Sequence, residues 1–316
     1  MNNPERQHTV PKFYLRGFAQ HDKIRVIDLQ KRSIYLSSVN KASIIKNFYT
    51  IDQGTDKFAF EKALGNVEAA AAQAFNSVKM GSWPLSLEDR VSLAVFMAIS
   101  LLRGITFRNF LSQADGFFTK LITEDSSDHS ITSYLNNIGS DSLSEDTIST
   151  IRNTIADEGD LGIIDANRHL THIPNLAVRL AFNILERNWA LATSTDRNFL
   201  TGDTPLISTR NTKAGLELCG VLHAENIAFP ISRNQAIFTG PVTNPTLALS
   251  SCLDYRFDCD TAFADTLNET VLFSSFDRLY LHPEDEELIP DKELLLLHEP
   301  PAIDFTSVRL PKMPHY

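Results

Sequence analysis

From Leu93 to Leu102 the chain is apolar at almost every position, and the run that contains it, 87–108, meets almost no helix breaker before Gly104. A helix without a polar face has to lie inside the molecule, with other elements packed around it. Ser86-Leu-Glu-Asp89 marks its start, because a serine hydroxyl there can accept from a backbone N–H three residues on while acidic side chains face the positive helix end. The remaining chain must therefore build a shell around one buried helix. Arg103 ends the apolar run, and a guanidinium in that position needs an anionic partner, either a protein carboxylate or a substrate phosphate.

Further helices are expected over 57–80, which is rich in Ala and closed by Gly81-Ser-Trp-Pro84, and over 107–122, 144–158, 165–186 and 260–276. Pro174 should kink or break the fourth of these. Residues 23–29 and 33–38 alternate apolar and polar side chains with period two across the short Gln30-Lys31-Arg32 link, so they read as a hairpin. Residues 42–46 read as a helical turn at best, and 47–52 as another strand. After Trp189 the period changes, with short strand-like runs at 189–194, 199–201, 227–231, 235–239 and 278–281 separated by Asn, Asp, Gly and Pro. Grouped helices and grouped strands, without strict βαβ alternation, define an α+β fold with central helices packed on an antiparallel sheet.

With 316 residues and 43% hydrophobic content, the chain can bury a sizeable core, read here as one α+β domain over 1–316. The Ser-, Asp- and Asn-rich stretch 124–149 is expected to be a surface excursion, and 283–316 an acidic tail beyond a core at 6–282. The longest apolar windows are too short for a membrane span, and the polar opening lacks an apolar run behind it, so a cytoplasmic location without membrane contact is expected. Cys219, Cys252 and Cys259 form no C-x-x-C pair and no zinc spacing, and read as small buried hydrophobes. A net charge of −10 argues against polyanion binding by the surface as a whole, but Lys and Arg are frequent from 12 to 46 while acids gather from 285 to 293. Any nucleic-acid contact is therefore expected on the N-terminal side. Phosphate-loop, dinucleotide, esterase-elbow and H-E-x-x-H motifs are all missing, which removes the commonest nucleotide triphosphatase, dinucleotide, esterase and zinc-protease readings.

The densest chemistry lies in His8-Thr-Val-Pro-Lys-Phe-Tyr-Leu-Arg-Gly-Phe18. Pro11 fixes its own φ and pushes Val10 toward extended backbone, so the segment enters as an arm. Its aromatics, Tyr14 among them, could anchor the terminus or stack a base, and Lys12 and Arg16 could pair on the surface or hold phosphates. His8 is either a titrating acid or base or an imidazole satisfied by a neighbouring group. Asp203, in Thr201-Gly-Asp-Thr-Pro205, is either a carboxylate held at the lip of a sheet or an Asx-turn. Glu68 shares a face of the Ala-rich helix with Glu61, where tight packing would partly bury it. Asn268 sits among apolar neighbours, so its amide must find partners in a brace or on a base edge. His169 and His172, three apart, have no carboxylate motif beside them, and no metal role is assigned.

The H-x-V-P-x-F-Y-L-R-x-F opening resembles that of a prokaryotic, phage-associated family, domain of unknown function family 4238. Trp189, Phe199-Leu-Thr-Gly-Asp-Thr-Pro205, Phe229-Pro-Ile-Ser232, Asn268 and Arg278-Leu-Tyr-Leu281 follow in that family's order, so the resemblance covers about residues 6–282. It implies a role in defence against phage, and the expectation drawn from it is a DNA glycosylase that removes a nucleobase, modified or unmodified, and leaves an abasic site. In that reading Asp203, His8 and Asn268 are catalytic, and Arg16, Arg103, Lys12, Tyr14 and Glu68 bind the DNA substrate. No cofactor and no metal is required. Rival expectations are a metal-dependent nuclease or toxin-like phosphodiesterase, and a non-catalytic sensor of a phage component.

Overall fold

The structure, a computed structural model, describes residues 6–46, 59–111, 113, 166–241 and 253–301. Strand β1 (Arg6–His8) leads through Pro11 into the one-turn helix α1 (Lys12–Leu15). The hairpin of β2 (Lys23–Asp28) and β3 (Ser33–Ser38) follows in the register that the alternation implies, with Lys23 opposite Ser38 and Asp28 opposite Ser33. Its turn is closed by the Asp28 carboxylate, which accepts from the Lys31 N–H at 2.8 Å. The expected helical turn at 42–46 is instead strand β4 (Ile44–Lys46), paired with β1. A three-residue strand is too short to show a period, and it is the partner strand that holds it extended.

Helix α2 (Ala59–Lys79) follows its expected span closely, and α3 (Leu87–Leu102) begins where expected. Ser86 caps α3, its hydroxyl accepting from Asp89 N–H at 3.1 Å. Leu93, Phe96, Met97 and Leu102 are buried, as the lack of a polar face requires. The helix does not run on to 108. It stops at Arg103, and Ile105–Leu111 resumes after a bend of 57°. Helix α4 (Ala166–Leu185) carries Pro174 in its first half and packs closely on α3.

The second half begins with β5 (Trp189–Ser194) and β6 (Thr201–Gly202) and continues through β7 (Ile207–Thr212), β8 (Gly215–Leu218), β9 (Asn226–Ser232), β10 (Gln235–Thr239) and β11 (Tyr255–Cys259). Helix α5 (Thr261–Ser274), capped by Asp260, is followed by β12 (Arg278–Leu281) and the short helix α6 (Lys292–Leu297). The fold class is the expected α+β, but the strands divide into three sheets, in the orders β1-β4, β3-β2-β12-β6 and β11-β5-β10-β9-β7-β8. The last strand thus joins the N-terminal hairpin, and β11 lies parallel to β5 in an otherwise antiparallel sheet.

The six-stranded sheet is covered on both faces. Phe229 of β9 meets Phe96 of α3 on one side, whereas Phe238 of β10 meets Phe263 of α5 on the other. Period two explains this, since alternate residues of a strand face opposite sides. Arg90 of α3 is wholly buried, with its guanidinium 4.7 Å from the Trp189 ring, ion-paired with Asp254 and donating to the Arg187 carbonyl. Where the acidic tail was expected to begin, the chain at 285–288 is tied to the body. The Asp285 side chain is 1% exposed and accepts from Arg233 and Asn198, and Leu288 is buried.

Gly17 lies against β9, and a Cβ there would stand 2.5 Å from the Ile231 carbonyl oxygen. The obstacle is backbone, so it cannot rotate away, and Gly17 O also accepts from Arg233 N–H at 2.8 Å. Gly17→Ala is expected to lower stability by about 1–3 kcal/mol, the cost of forcing bulk into a packed interior, as read from the urea midpoint. Expected elements at 47–52, 112–122 and 144–158, the 124–149 excursion, Cys252, and the side chains of Glu61, His169 and His172 lie outside the described residues.

Candidate functional site at the end of helix α3

The polar end of α3 gathers four of the residues that the sequence singled out, His8, Glu68, Arg103 and Asp203. Arg103 caps the helix C-terminus, where a cation is favoured by the helix dipole, and its side chain is 3% exposed. Nη1 donates to Glu68 Oε1 at 2.6 Å and Nη2 to the His8 carbonyl at 2.6 Å. The anionic partner expected for Arg103 is thus a protein carboxylate from α2. That carboxylate is reachable, because the Glu68 side chain remains 30% exposed.

His8, at the end of β1, is half-buried, and its Nδ1 lies 3.2 Å from Ser43 Oγ. The serine hydroxyl donates to the Val10 carbonyl at 2.6 Å, which fixes the hydroxyl beside the imidazole. Thr9 reinforces the pairing from backbone and side chain, both donating to the Ser43 carbonyl. The next residue of the α3 terminus, Gly104, sits over the Asp203 backbone, where a Cβ would stand 3.6 Å from the Asp203 carbonyl oxygen. Beside it the Thr106 and Thr204 hydroxyls meet at 2.7 Å. His8, Glu68, Arg103 and the Asp203–Thr204 turn therefore lie around one helix end.

The Asp203 carboxylate faces inward. Oδ1 accepts from Phe276 N–H at 2.8 Å, and Oδ2 accepts from Asp277 N–H at 2.6 Å and Arg278 N–H at 3.1 Å. It is neither the expected Asx-turn nor an open carboxylate but a clamp that ties β6 to the entry of β12. Gly202 makes the approach possible, since a Cβ there would collide with Ser275. Burial pushes the Asp203 carboxyl up to about 6 against the pull of the three backbone donors. The folded state then binds a proton more tightly than the unfolded chain. The resulting stabilisation is fully present below the ordinary carboxyl value, and it is lost as the pH rises through about 6. Urea midpoints at pH 4, 5, 6 and 7 should show this component in the wild type and not in Asp203→Asn.

Asn268 braces the strand that leads to this turn. Its Oδ1 accepts from Leu200 N–H at 3.0 Å and its Nδ2 donates to the Asn198 carbonyl at 2.9 Å. Tyr14 is buried, donates to the Pro230 carbonyl at 2.7 Å and shares a 2.7 Å contact with Thr201 Oγ1. Burial drives its phenol above the ordinary tyrosine value, and its ring packs on Phe75, Phe96 and Phe229. These two residues hold the site's scaffold together from behind. Arg16 is exposed and pairs with Asp22 at 2.9 Å, the surface alternative of the sequence reading, and Lys12 is half-buried on α1.

Ser43 and Thr106 carry no signal in the sequence, being single hydroxyls in unremarkable surroundings, and Thr204 enters the sequence reading only as part of the turn around Asp203. Among the described residues no three or more His, Cys, Asp or Glu side chains are placed to hold a metal ion, and no single helix is long and apolar enough to cross a membrane.

Fold and site define an α+β protein whose buried helix presents, at its C-terminus, a carboxylate bound by an arginine that also holds the backbone of His8. The profile described as protein of unknown function (DUF4238) matches residues 6–285, and the chain belongs to that family. No curated protein and no solved structure matches it.

Proposed function

We propose that the chain is a DNA N-glycosylase of antiphage defence, hydrolysing the bond between a nucleobase, modified or unmodified, and its sugar. The observation that carries this reading is the Glu68 carboxylate, open to solvent yet fixed by the buried Arg103, which also donates to the His8 carbonyl. Cleavage of an N-glycosidic bond sends its electron pair to the base and leaves positive charge on the sugar, which a fixed carboxylate stabilises. Water then adds its hydroxyl to the sugar carbon, and its remaining proton ends on the departing base. In this reading Glu68 faces the sugar, and His8, oriented by Ser43, hydrogen-bonds the leaving base.

The other expected roles shift accordingly. Asp203, with both oxygens engaged by backbone, is assigned to positioning the turn beside Gly104, and Asn268 and Tyr14 to supporting it. Arg16 and Lys12, on the basic N-terminal segment, are assigned to the phosphates flanking a nucleotide turned out of the stack.

Purified protein incubated with modified and unmodified duplex DNA, with and without chelator, tests the proposal. The expected result is free base and strand breaks that form only after alkali, unaffected by chelation. Strand ends that form without alkali and vanish on chelation would replace the proposal with a nuclease. DNA left intact under every condition would favour a non-catalytic sensor.

A further inference from the structure

A second candidate site lies on the opposite face of the six-stranded sheet. A cavity of about 730 Å³ opens between that sheet and α5. The register explains its depth. Ala190, Phe238, Ala228 and Ile207 fall in one row across β5, β10, β9 and β7, so two alanines leave space on a face that larger side chains would fill. Aromatic rings wall it, with Phe238 and Phe263 centroids 4.9 Å apart and Phe257 at 5.5 Å from Phe263. Among the described residues no lining side chain carries a charge.

Among the described residues the polar side chains that face this space are neutral. Thr209 and Asn226 are opposite each other on β7 and β9, and both line the cavity. Thr209 is 7% exposed and Asn226 is half-buried, so a hydroxyl and an amide stand in the wall where a ligand can hydrogen-bond them. Aromatic walls, neutral donors and acceptors, and a volume within the range of roughly 300–1,000 Å³ usual for small-molecule sites together specify the ligand class.

We propose that this cavity binds an uncharged heteroaromatic ring compound of nucleobase or nucleoside size. The rings would stack on Phe238, Phe257 or Phe263, and a ring substituent would pair with Thr209 and Asn226. Phosphate-bearing forms are disfavoured, because among the described residues no cation lines the space to offset their charge. The inference does not rest on glycosylase activity, since the cavity and the Glu68 site lie on different faces of the sheet.

Isothermal titration of the full chain with adenosine, cytidine and thymidine, and with their 5′-monophosphates, tests it. At least one nucleoside should bind, with the matching monophosphate about tenfold weaker or more. Ala228→Phe, which fills the cavity, should weaken binding by at least about tenfold, and Thr209→Val by roughly three- to tenfold. Thr209→Val is nearly isosteric and decides the matter if Ala228→Phe does not fold. The proposal is overturned if no nucleoside binds at millimolar concentration, if the monophosphates bind as well, or if neither substitution weakens binding. Base release is not read in this experiment, so its outcome is separate from that of the glycosylase assay.

Discussion

Asp254→Ala is expected to lower the stability of the fold by about 3–5 kcal/mol, the usual cost of stranding a buried charge by removing its partner. The Arg90 side chain is fully buried and that of Asp254 is 1% exposed, so water cannot take over the lost interaction. The carboxylate also accepts from Trp189 N–H at 2.9 Å, and that donor at the start of β5 would lose its partner as well. Burial drives the guanidinium below its ordinary value and the carboxyl above its own, and the attraction between the two opposes both shifts. Removing both, as Arg90→Met with Asp254→Leu, should cost less than the sum of the single changes, because no charge is then left alone. A double-mutant cycle by urea unfolding measures this coupling directly.

This network was hidden in the sequence for a physical reason. Asp254 is 164 residues from Arg90, and neither residue lies in a motif. What local chemistry dictates was legible. The Ser86 cap and the apolar run placed α3, and the period-two alternation at 23–38 gave β2 and β3 their register. Strands β7, β8 and β11 were missed. Ser208-Thr-Arg-Asn-Thr212 and Tyr255-Arg-Phe-Asp258 are polar at most positions, and they are held as strands by the neighbours β9 and β5. Likewise, the assignment of β12 to the N-terminal hairpin depends on pairing between Leu281 and Arg25, which no local pattern announces.

The candidate site was legible in its members more than in their tasks. His8, Glu68, Arg103 and Asp203 do meet around one helix end, but side-chain direction is set by tertiary packing. Asp203 turned inward because the donors of 276–278 point at it, a fact carried by a loop more than seventy residues away. Glu68 stayed open because it lies on the rim of α2, where the side chain is 30% exposed. Arg103, expected to meet either a carboxylate or a phosphate, took the carboxylate and brought His8 with it through the backbone.

The second large effect concerns chemistry. Glu68→Gln keeps the size of the side chain and an oxygen for Arg103, and it removes only the charge that would oppose a cationic sugar. Loss of a fixed electrostatic contact to a transition state typically costs about 100- to 1,000-fold in rate, or roughly 3–4 kcal/mol. Base release should fall by about that factor. Arg103 is 3% exposed and loses a charged partner, so a stability loss of about 1–2 kcal/mol is expected alongside. The rate must therefore be read well below the midpoint of thermal unfolding.

The most direct test is the single-turnover rate of base release from duplex DNA by folded wild type and folded Glu68→Gln, compared at one temperature where circular dichroism shows both intact. A drop of about 100-fold or more with the fold preserved is the expected result. Equal rates would contradict it and would leave the Glu68–Arg103 pair as part of the scaffold alone.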